Sequence, residues 1–195
     1  MKKSLYIVAV LVFANSLIAK GQIQRGNVLV GGDIANFDLG LGEGSNFSFQ
    51  INPKAAFFIK DNTAIGPSLR LGLSTQTGMG TNFSYGVGVL ARQYVNGNAV
   101  PAVRHTRFFG EANLGFEGEN HSKSSTNTTT NGLGLGIGPG LAYFITPNIG
   151  LEGLLMYQGI LGFGTKAVTS NLHFNVGFQI YLPARGVRNA ATNRQ

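Results

Sequence analysis

Between Leu172 and Leu182 every second residue is bulky and apolar: Leu172, Phe174, Val176, Phe178, Ile180 and Leu182. The residues between them are His173, Asn175, Gly177, Gln179 and Tyr181. A side-chain repeat of two residues describes a strand with one wholly apolar face, and no helix can present it. The pattern recurs along the chain. Phe47, Phe49, Ile51, Ala55, Phe57 and Ile59 alternate with Ser48, Gln50, Asn52, Lys54 and Phe58. Ile65, Leu69, Leu71 and Leu73 alternate with Ser68, Arg70, Gly72 and Ser74, and Phe83, Tyr85, Val87 and Val89 with Ser84, Gly86, Gly88 and Arg92. Phe108, Ala112, Leu114 and Phe116 oppose Glu111, Asn113, Gly115 and Glu117. Leu133, Leu135, Ile137, Leu141 and Tyr143 oppose glycines at 134, 136, 138 and 140, and Ile149, Leu151, Leu155 and Tyr157 oppose Gly150, Glu152 and Met156. With Val28 to Ile34 at the start, eight strands are expected.

Which face lies inside decides the class. The interior of an eight-stranded barrel is only just wide enough for side chains to fill, and about five large residues per strand exceed it. The face of Gly, Ser, Asn and Ala with scattered charges does fit. The bulky face therefore points outward, and a continuous apolar exterior is tolerable only in lipid. Two features of composition then share one cause: 29 Gly and only 12% charged residues in 195 positions reflect a narrow lumen wrapped in hydrocarbon. The predicted fold is an all-β, eight-stranded antiparallel transmembrane β-barrel with up-and-down meander topology.

The formal net charge of +7 sits largely outside that body. Met1 to Gly21 reads as a cleaved signal peptide, with Lys2 and Lys3 ahead of the apolar run Leu5 to Ala14, too short to span a bilayer. Residues 183–195 read as a flexible basic tail carrying Arg185, Arg188 and Arg194. Residues 22–182 form the barrel and hold nine basic against eight acidic side chains, so nucleic acid is not expected as a partner. With no Cys in the chain, disulfides, Cys-ligated metal centres and thiol catalysis are excluded.

The expected connections alternate in length. Lys60 to Thr63 and Thr146 to Asn148 are tight turns, whereas Gly40 to Asn46, Thr75 to Asn82, Glu119 to Asn131 and Gln158 to Asn171 read as longer polar loops. Short periplasmic turns and longer outer loops characterise outer-membrane barrels. Val95 to Thr106 breaks the rule, being long at the periplasmic end. Phe47, Phe57, Tyr85, Phe108, Phe116, Tyr143 and Tyr157 lie near strand ends on the bulky face, as interfacial girdles require. An even number of strands returns both termini to the periplasm.

The run Gly138 to Tyr157 (GPGLAYFITPNIGLEGLLMY), together with Lys60 to Gly66 and Leu90 to Tyr94, resembles the small outer-membrane β-barrel domain proteins of Bacteroidetes-type bacteria. These are distant architectural relatives of the OmpA transmembrane domain. The resemblance covers about residues 22–182 and implies a Gram-negative outer-membrane protein; it implies no particular activity. It also implies contact with outer-membrane lipid, lipopolysaccharide and the barrel assembly machinery. Such barrels usually end on an aromatic residue, whereas here the last strand ends at Leu182 with 13 residues after it.

The candidate site is a set of inward charges, Lys54, Arg70, Arg92, Glu111, Glu117 and Glu152, of which counting from the turns puts Lys54, Arg92, Glu111 and Glu152 within a few residues of the periplasmic end. Unpaired ions in a poorly hydrated lumen are costly, so Arg–Glu pairs with bidentate geometry are expected, filling and registering the barrel. A porin-like gate for small ions is one alternative. The other is a lipid A-modifying enzyme built on His121, Ser122, Ser124, Ser125 and His173 near the outer rim. A Ser nucleophile needs its base and an oxyanion donor held rigidly, and a polar, low-complexity loop is a poor frame for that. The run Gly132 to Gly140 has Gly at every second position, which suits lumen packing and not a phosphate loop. His105 reads as a solvated loop residue, and the three scattered His have no metal-ligand spacing. The sequence therefore reads as a non-enzymatic outer-membrane barrel without catalytic residues, metal or cofactor, acting structurally or through loops that bind an extracellular ligand.

Overall fold

Eight strands follow one another along the chain in this computed structural model: β1 Val28–Leu39, β2 Asn46–Lys60, β3 Thr63–Gln76, β4 Gly80–Tyr94, β5 Thr106–Lys123, β6 Thr126–Thr146, β7 Ile149–Gly162 and β8 Val168–Leu182. Each pairs antiparallel with its sequence neighbours, and β8 returns to β1, closing the sheet in meander order. The structure describes residues 23–39, 46–78, 80–95, 105–123, 126–163 and 168–183; the leader, the tail beyond Pro183 and the remaining loop residues lie outside them.

Turn chemistry sets the two tight connections. Asp61 and Asn62 join β2 to β3, and Asn62 takes φ of 65°, a left-handed conformation that Asn tolerates better than most residues. Pro147 and Asn148 join β6 to β7. At the opposite end the strands run further than the hydrophobic pattern indicates. β3 continues to Gln76 and β4 begins at Gly80, β7 continues to Gly162 and β8 begins at Val168, and Glu119 to Asn131 is mostly a paired extension of the β5–β6 hairpin. Pairs from Glu119↔Thr130 to Lys123↔Thr126 continue the ladder with polar residues on both faces. The apolar repeat stops there while pairing does not, because Thr favours the extended backbone without needing lipid on one side.

The seam is the shortest ladder. β1 and β8 share seven register pairs, Val28↔Leu182 to Ile34↔Val176, against fourteen between β3 and β4. A bulge between Ala35 and Asp38 shifts the β1 register against β2 just where the seam stops. Near the chain termini the segment Ile23–Asn27 folds across the end of the barrel. Its backbone meets the β2–β3 hairpin through Gly26 N–H to Phe58 O, Phe58 N–H to Asn27 O and Asn62 N–H to Ile23 O. Ile23 is buried among Leu29, Phe58, Leu90 and Tyr94.

The outer surface is apolar on every strand, from Val30 and Ile34 through Leu69, Leu71, Val87, Leu114, Ile137 and Leu155 to Phe174 and Phe178. Phe57, Phe108, Phe116, Tyr143 and Tyr157 are exposed in this belt. This is an inside-out globule, and the apolar exterior makes the chain a transmembrane barrel, since water would not tolerate so large a continuous patch. Ile137 is 64% exposed in mid-strand. Replacing it with Arg is expected to lower the unfolding free energy in lipid vesicles by about 2–4 kcal/mol, whereas Ile145→Arg beside the β6–β7 turn is expected to cost about 0–1 kcal/mol. Equal costs at both positions, read by denaturant titration, would contradict the membrane depth assigned to this belt.

Candidate functional site

Alternation that turns the bulky face to lipid turns the polar face into a closed tube, and the lumen is stratified along its axis. At the end bearing the chain termini lies a floor of rings: Phe58, Tyr94, Phe109, Phe144 and Tyr181, all buried. Phe144 and Tyr181 have ring centroids 5.0 Å apart, Tyr94 and Phe109 5.5 Å, and Phe58 and Tyr94 6.0 Å. Space for the Phe109 ring comes from β6. Phe109 of β5 stands opposite Gly140, where any Cβ would strike its ring, and Asn113 stands opposite Gly136 in the same way. Gly134, Gly136 and Gly140 of β6 are the negative image of Glu117, Asn113 and Phe109 on β5.

Above the floor lies a charge layer. Arg92, 1% exposed, lies with its guanidinium 4.0 Å above the ring of Phe109. Its Nε and Nη2 donate to one oxygen of Glu111 at 2.8 and 2.6 Å, and its Nη1 reaches both oxygens of Glu152 at 2.8 and 2.7 Å. The expected bidentate pairing thus takes a divided form, one guanidinium bridging two carboxylates on β5 and β7. Lys54 completes the layer, with Nζ 3.0 Å from Glu111 Oε1 and 2.5 Å from Asp33 Oδ2. Asp33 Oδ1 accepts from Gln179 Nε2 at 3.0 Å.

Three acids face two bases here, and two phenols assist them. Tyr181 donates to Glu152 Oε1 at 2.6 Å, so in its 2.7 Å contact with Tyr94 the Tyr94 hydroxyl is the donor. Tyr94 in turn accepts from Arg92 Nη1 at 2.9 Å, closing a ring of bonds from Arg92 through both tyrosines to Glu152 and back. Every charge in this layer has an opposite partner within 4.0 Å, the condition under which buried ions are tolerated.

Arg70 and Glu117 form a second, separate level nearer the opposite mouth. Arg70 Nη1 is 2.6 Å from Glu117 Oε2, and Gln158 Nε2 donates to Glu117 Oε1 at 2.7 Å. Between the two levels is a void of about 40 Å³, large enough for a water molecule or two. Beyond Arg70 the lumen widens into a vestibule of about 280 Å³ lined by Ser74, Asn82, Ser84, Glu119 and His173 among others.

All six charges expected from the sequence face inward, but they do not form one network: Lys54, Arg92, Glu111 and Glu152 belong to the lower level, Arg70 and Glu117 to the upper. The sequence reading put Gln179, Phe58 and Tyr181 on the lumenal face without adding them to the site, and it did not single out Asp33, Gln158, Tyr94, Phe109 or Phe144. Asp33 alternates with Val30 and Ile34 across β1, yet the consecutive Gly31 and Gly32 blur the period there. His173 lines the vestibule, and His105 lies outside the lumen with its ring 6.4 Å from that of Tyr143. His121 and Ser122 are successive residues of β5 and project to opposite faces, while Ser124 and Ser125 lie outside the described residues. Among the described residues, no three His, Cys, Asp or Glu are grouped to hold a metal ion.

The architecture matches known barrels. Neisserial surface protein A superposes with a TM-score of 0.60 at 16% identity, over 80% of this chain and 96% of that one. The N-terminal β-barrel domain of Pseudomonas aeruginosa OprF superposes with a TM-score of 0.51 at 14% identity, over 81% of this chain and 97% of that one. Neither a protein-family model nor a curated protein matches the sequence. At such identities the likeness is one of fold, and the lumenal residues have to be read from their own geometry.

Proposed function

We propose that this chain is an integral outer-membrane β-barrel protein with a blocked lumen, acting structurally or through its outer connections on an extracellular ligand. The carrying observation is the charge layer on its aromatic floor, which ties Arg92 to Glu111 and Glu152 with all three side chains buried. The outer-membrane barrels it resembles in fold support the location. On this reading both ends of the mature chain face the periplasm, lipopolysaccharide covers the outer leaflet, and the barrel assembly machinery inserts the chain. The likeness of Gly138 to Tyr157 to the Bacteroidetes-type barrel domains would place it in that subgroup. The opposite orientation of His121 and Ser122 supports a non-enzymatic role, since that pair cannot act together as base and nucleophile.

Two measurements test the proposal. Unboiled protein from the outer-membrane fraction should migrate faster in a gel than boiled protein; identical migration, or recovery in the soluble fraction, would remove the barrel from the membrane. In planar bilayers the protein should show no sustained nanosiemens-scale steps, whereas stable large openings would restore a porin-like role.

A further inference from the structure

We propose that a groove on the outer, apolar face of the barrel is a binding site for one glycerophospholipid, with an acyl chain lying in the groove and the phosphate at the rim that bears the chain termini. The groove has a volume of about 710 Å³, larger than either lumenal space. Small outward residues set its course. Ala91 of β4 pairs with Ala112 of β5, and Gly159 of β7 pairs with Ser170 of β8. Bulky neighbours wall it. Val89 and Leu114 stand beside the two alanines on the side away from the termini, and the groove passes between Ile137 and Leu135 of β6 to reach Gly159 beside Tyr157. It begins at Ile65, two residues into β3 from the tight turn, and ends at Ser170, two residues into β8 from the opposite end, so it climbs obliquely along the barrel. Six strands about 4.8 Å apart give it a length of about 24 Å, that of an extended fatty-acyl chain.

Position and charge name the occupant. The groove lies within the apolar belt, so on the membrane reading, on which this inference rests, lipid and not water meets it. No charged side chain lines it, which suits a hydrocarbon chain. On β5 the next outward residue after Ala112 toward the termini is Gly110, where a Cβ would meet nothing within 4 Å, so the wall is missing there and the groove opens toward the rim. Among the described residues that rim carries Arg25, Lys60 and Arg107 against one acid, Asp61. The excess of positive charge fits a phosphate held just outside the hydrocarbon. A second copy of the chain fits poorly. About a two-fold axis along the membrane normal the groove would face its own copy, and two hollows placed face to face leave a void.

The experiment is native mass spectrometry of the barrel in detergent micelles to which palmitoyl-oleoyl phosphatidylglycerol is added. The unsubstituted barrel should retain one lipid saturably, and palmitoyl-oleoyl glycerol, which has the same chains without the phosphate, should be retained at least tenfold less. Ala91→Leu with Ala112→Leu fills the groove and should lower retention at least tenfold, whereas Ala55→Leu, the same change on the lipid face of β2 outside the groove, should leave it unchanged. Lys60→Glu with Arg107→Glu should lower it at least fivefold. Heat-modifiable migration establishes that each variant is folded, and the comparison of the two lipids needs no variant. A heat-modifiable barrel from the outer-membrane fraction that retains no lipid, that retains both lipids equally, or that retains phosphatidylglycerol undiminished in a folded groove or rim variant overturns this inference and leaves the membrane reading standing. So does a dimer that forms in place of the lipid complex. Recovery of the protein in the soluble fraction overturns both.

Discussion

Arg92→Met is expected to lower the free energy of unfolding by about 3–5 kcal/mol, the cost of leaving partnered ions buried without their counter-charge. Two carboxylates depend on this guanidinium. Glu111 retains Lys54 at 3.0 Å, but among the described residues Glu152 retains the hydroxyl of Tyr181, 2.6 Å away, and no salt-bridge partner. Met matches the apolar length of Arg and can still lie on Phe109, so the loss reports charge more than packing. The same layer made neutral should behave differently. In Arg92→Met combined with Glu111→Gln and Glu152→Gln, carboxamides replace stranded ions, and most of the loss should return. Urea titration of the folded barrel in lipid vesicles separates the outcomes. A single substitution costing under about 1 kcal/mol would mean that water reaches the layer and that the lumen is open there.

Gly138→Ala is expected to destabilise the barrel by about 3 kcal/mol or to prevent its folding, whereas Gly136→Ala should cost less than about 1 kcal/mol. The two positions are one alternation apart on the same strand and add the same methyl group. At Gly136 the atoms nearest a Cβ belong to the carboxamide of Asn113, the end of a side chain that can rotate away. At Gly138 it meets the carbonyl oxygen of Leu155 and the Cα of Met156, which are β7 backbone. The β6–β7 ladder has no register pair between Ile137↔Tyr157 and Gly140↔Leu154, since Pro139 has no N–H to offer. The strands approach closely at that gap. Comparable stabilities for the two variants, again by urea titration, would show that β7 shifts freely and that the close approach is unimportant.

Much of this was legible in the residues alone. The alternation located eight strands and assigned the six lumenal charges to the inner face, because a half-lipid, half-lumen strand carries its burial pattern openly. What escaped notice has physical reasons. A narrow interior excludes the bulky face as a whole, yet it admits five rings, Phe58, Tyr94, Phe109, Phe144 and Tyr181. The room for Phe109 is made across the ladder by Gly140, and a cross-strand trade in volume has no signature within one strand. Loop lengths were overestimated for a related reason. Glu119 to Asn131 has no apolar face, so a method that detects strands by burial sees none, although backbone pairing runs on to Lys123 and Thr126. The grouping of Lys54, Arg92, Glu111 and Glu152 at one end was legible from their distance to the turns, and register agrees with it by placing Arg70 opposite Gly86 but Lys54 opposite Gly31.

The lower charge layer has a mechanical consequence. It joins β1 through Asp33, β2 through Lys54, β4 through Arg92, β5 through Glu111, β7 through Glu152 and β8 through Tyr181, all within one cross-section. A ring braced across its interior by charged spokes resists flattening into an ellipse, because any change of shape stretches several of them together. At the opposite end there is little bracing beyond Arg70 and Glu117, and β1 and β8 share no register pair past Ile34 and Val176. Stiffness should therefore fall along the axis from the floor to the vestibule, so that one end of the tube holds its shape against lateral pressure from lipid while the other yields to what enters it.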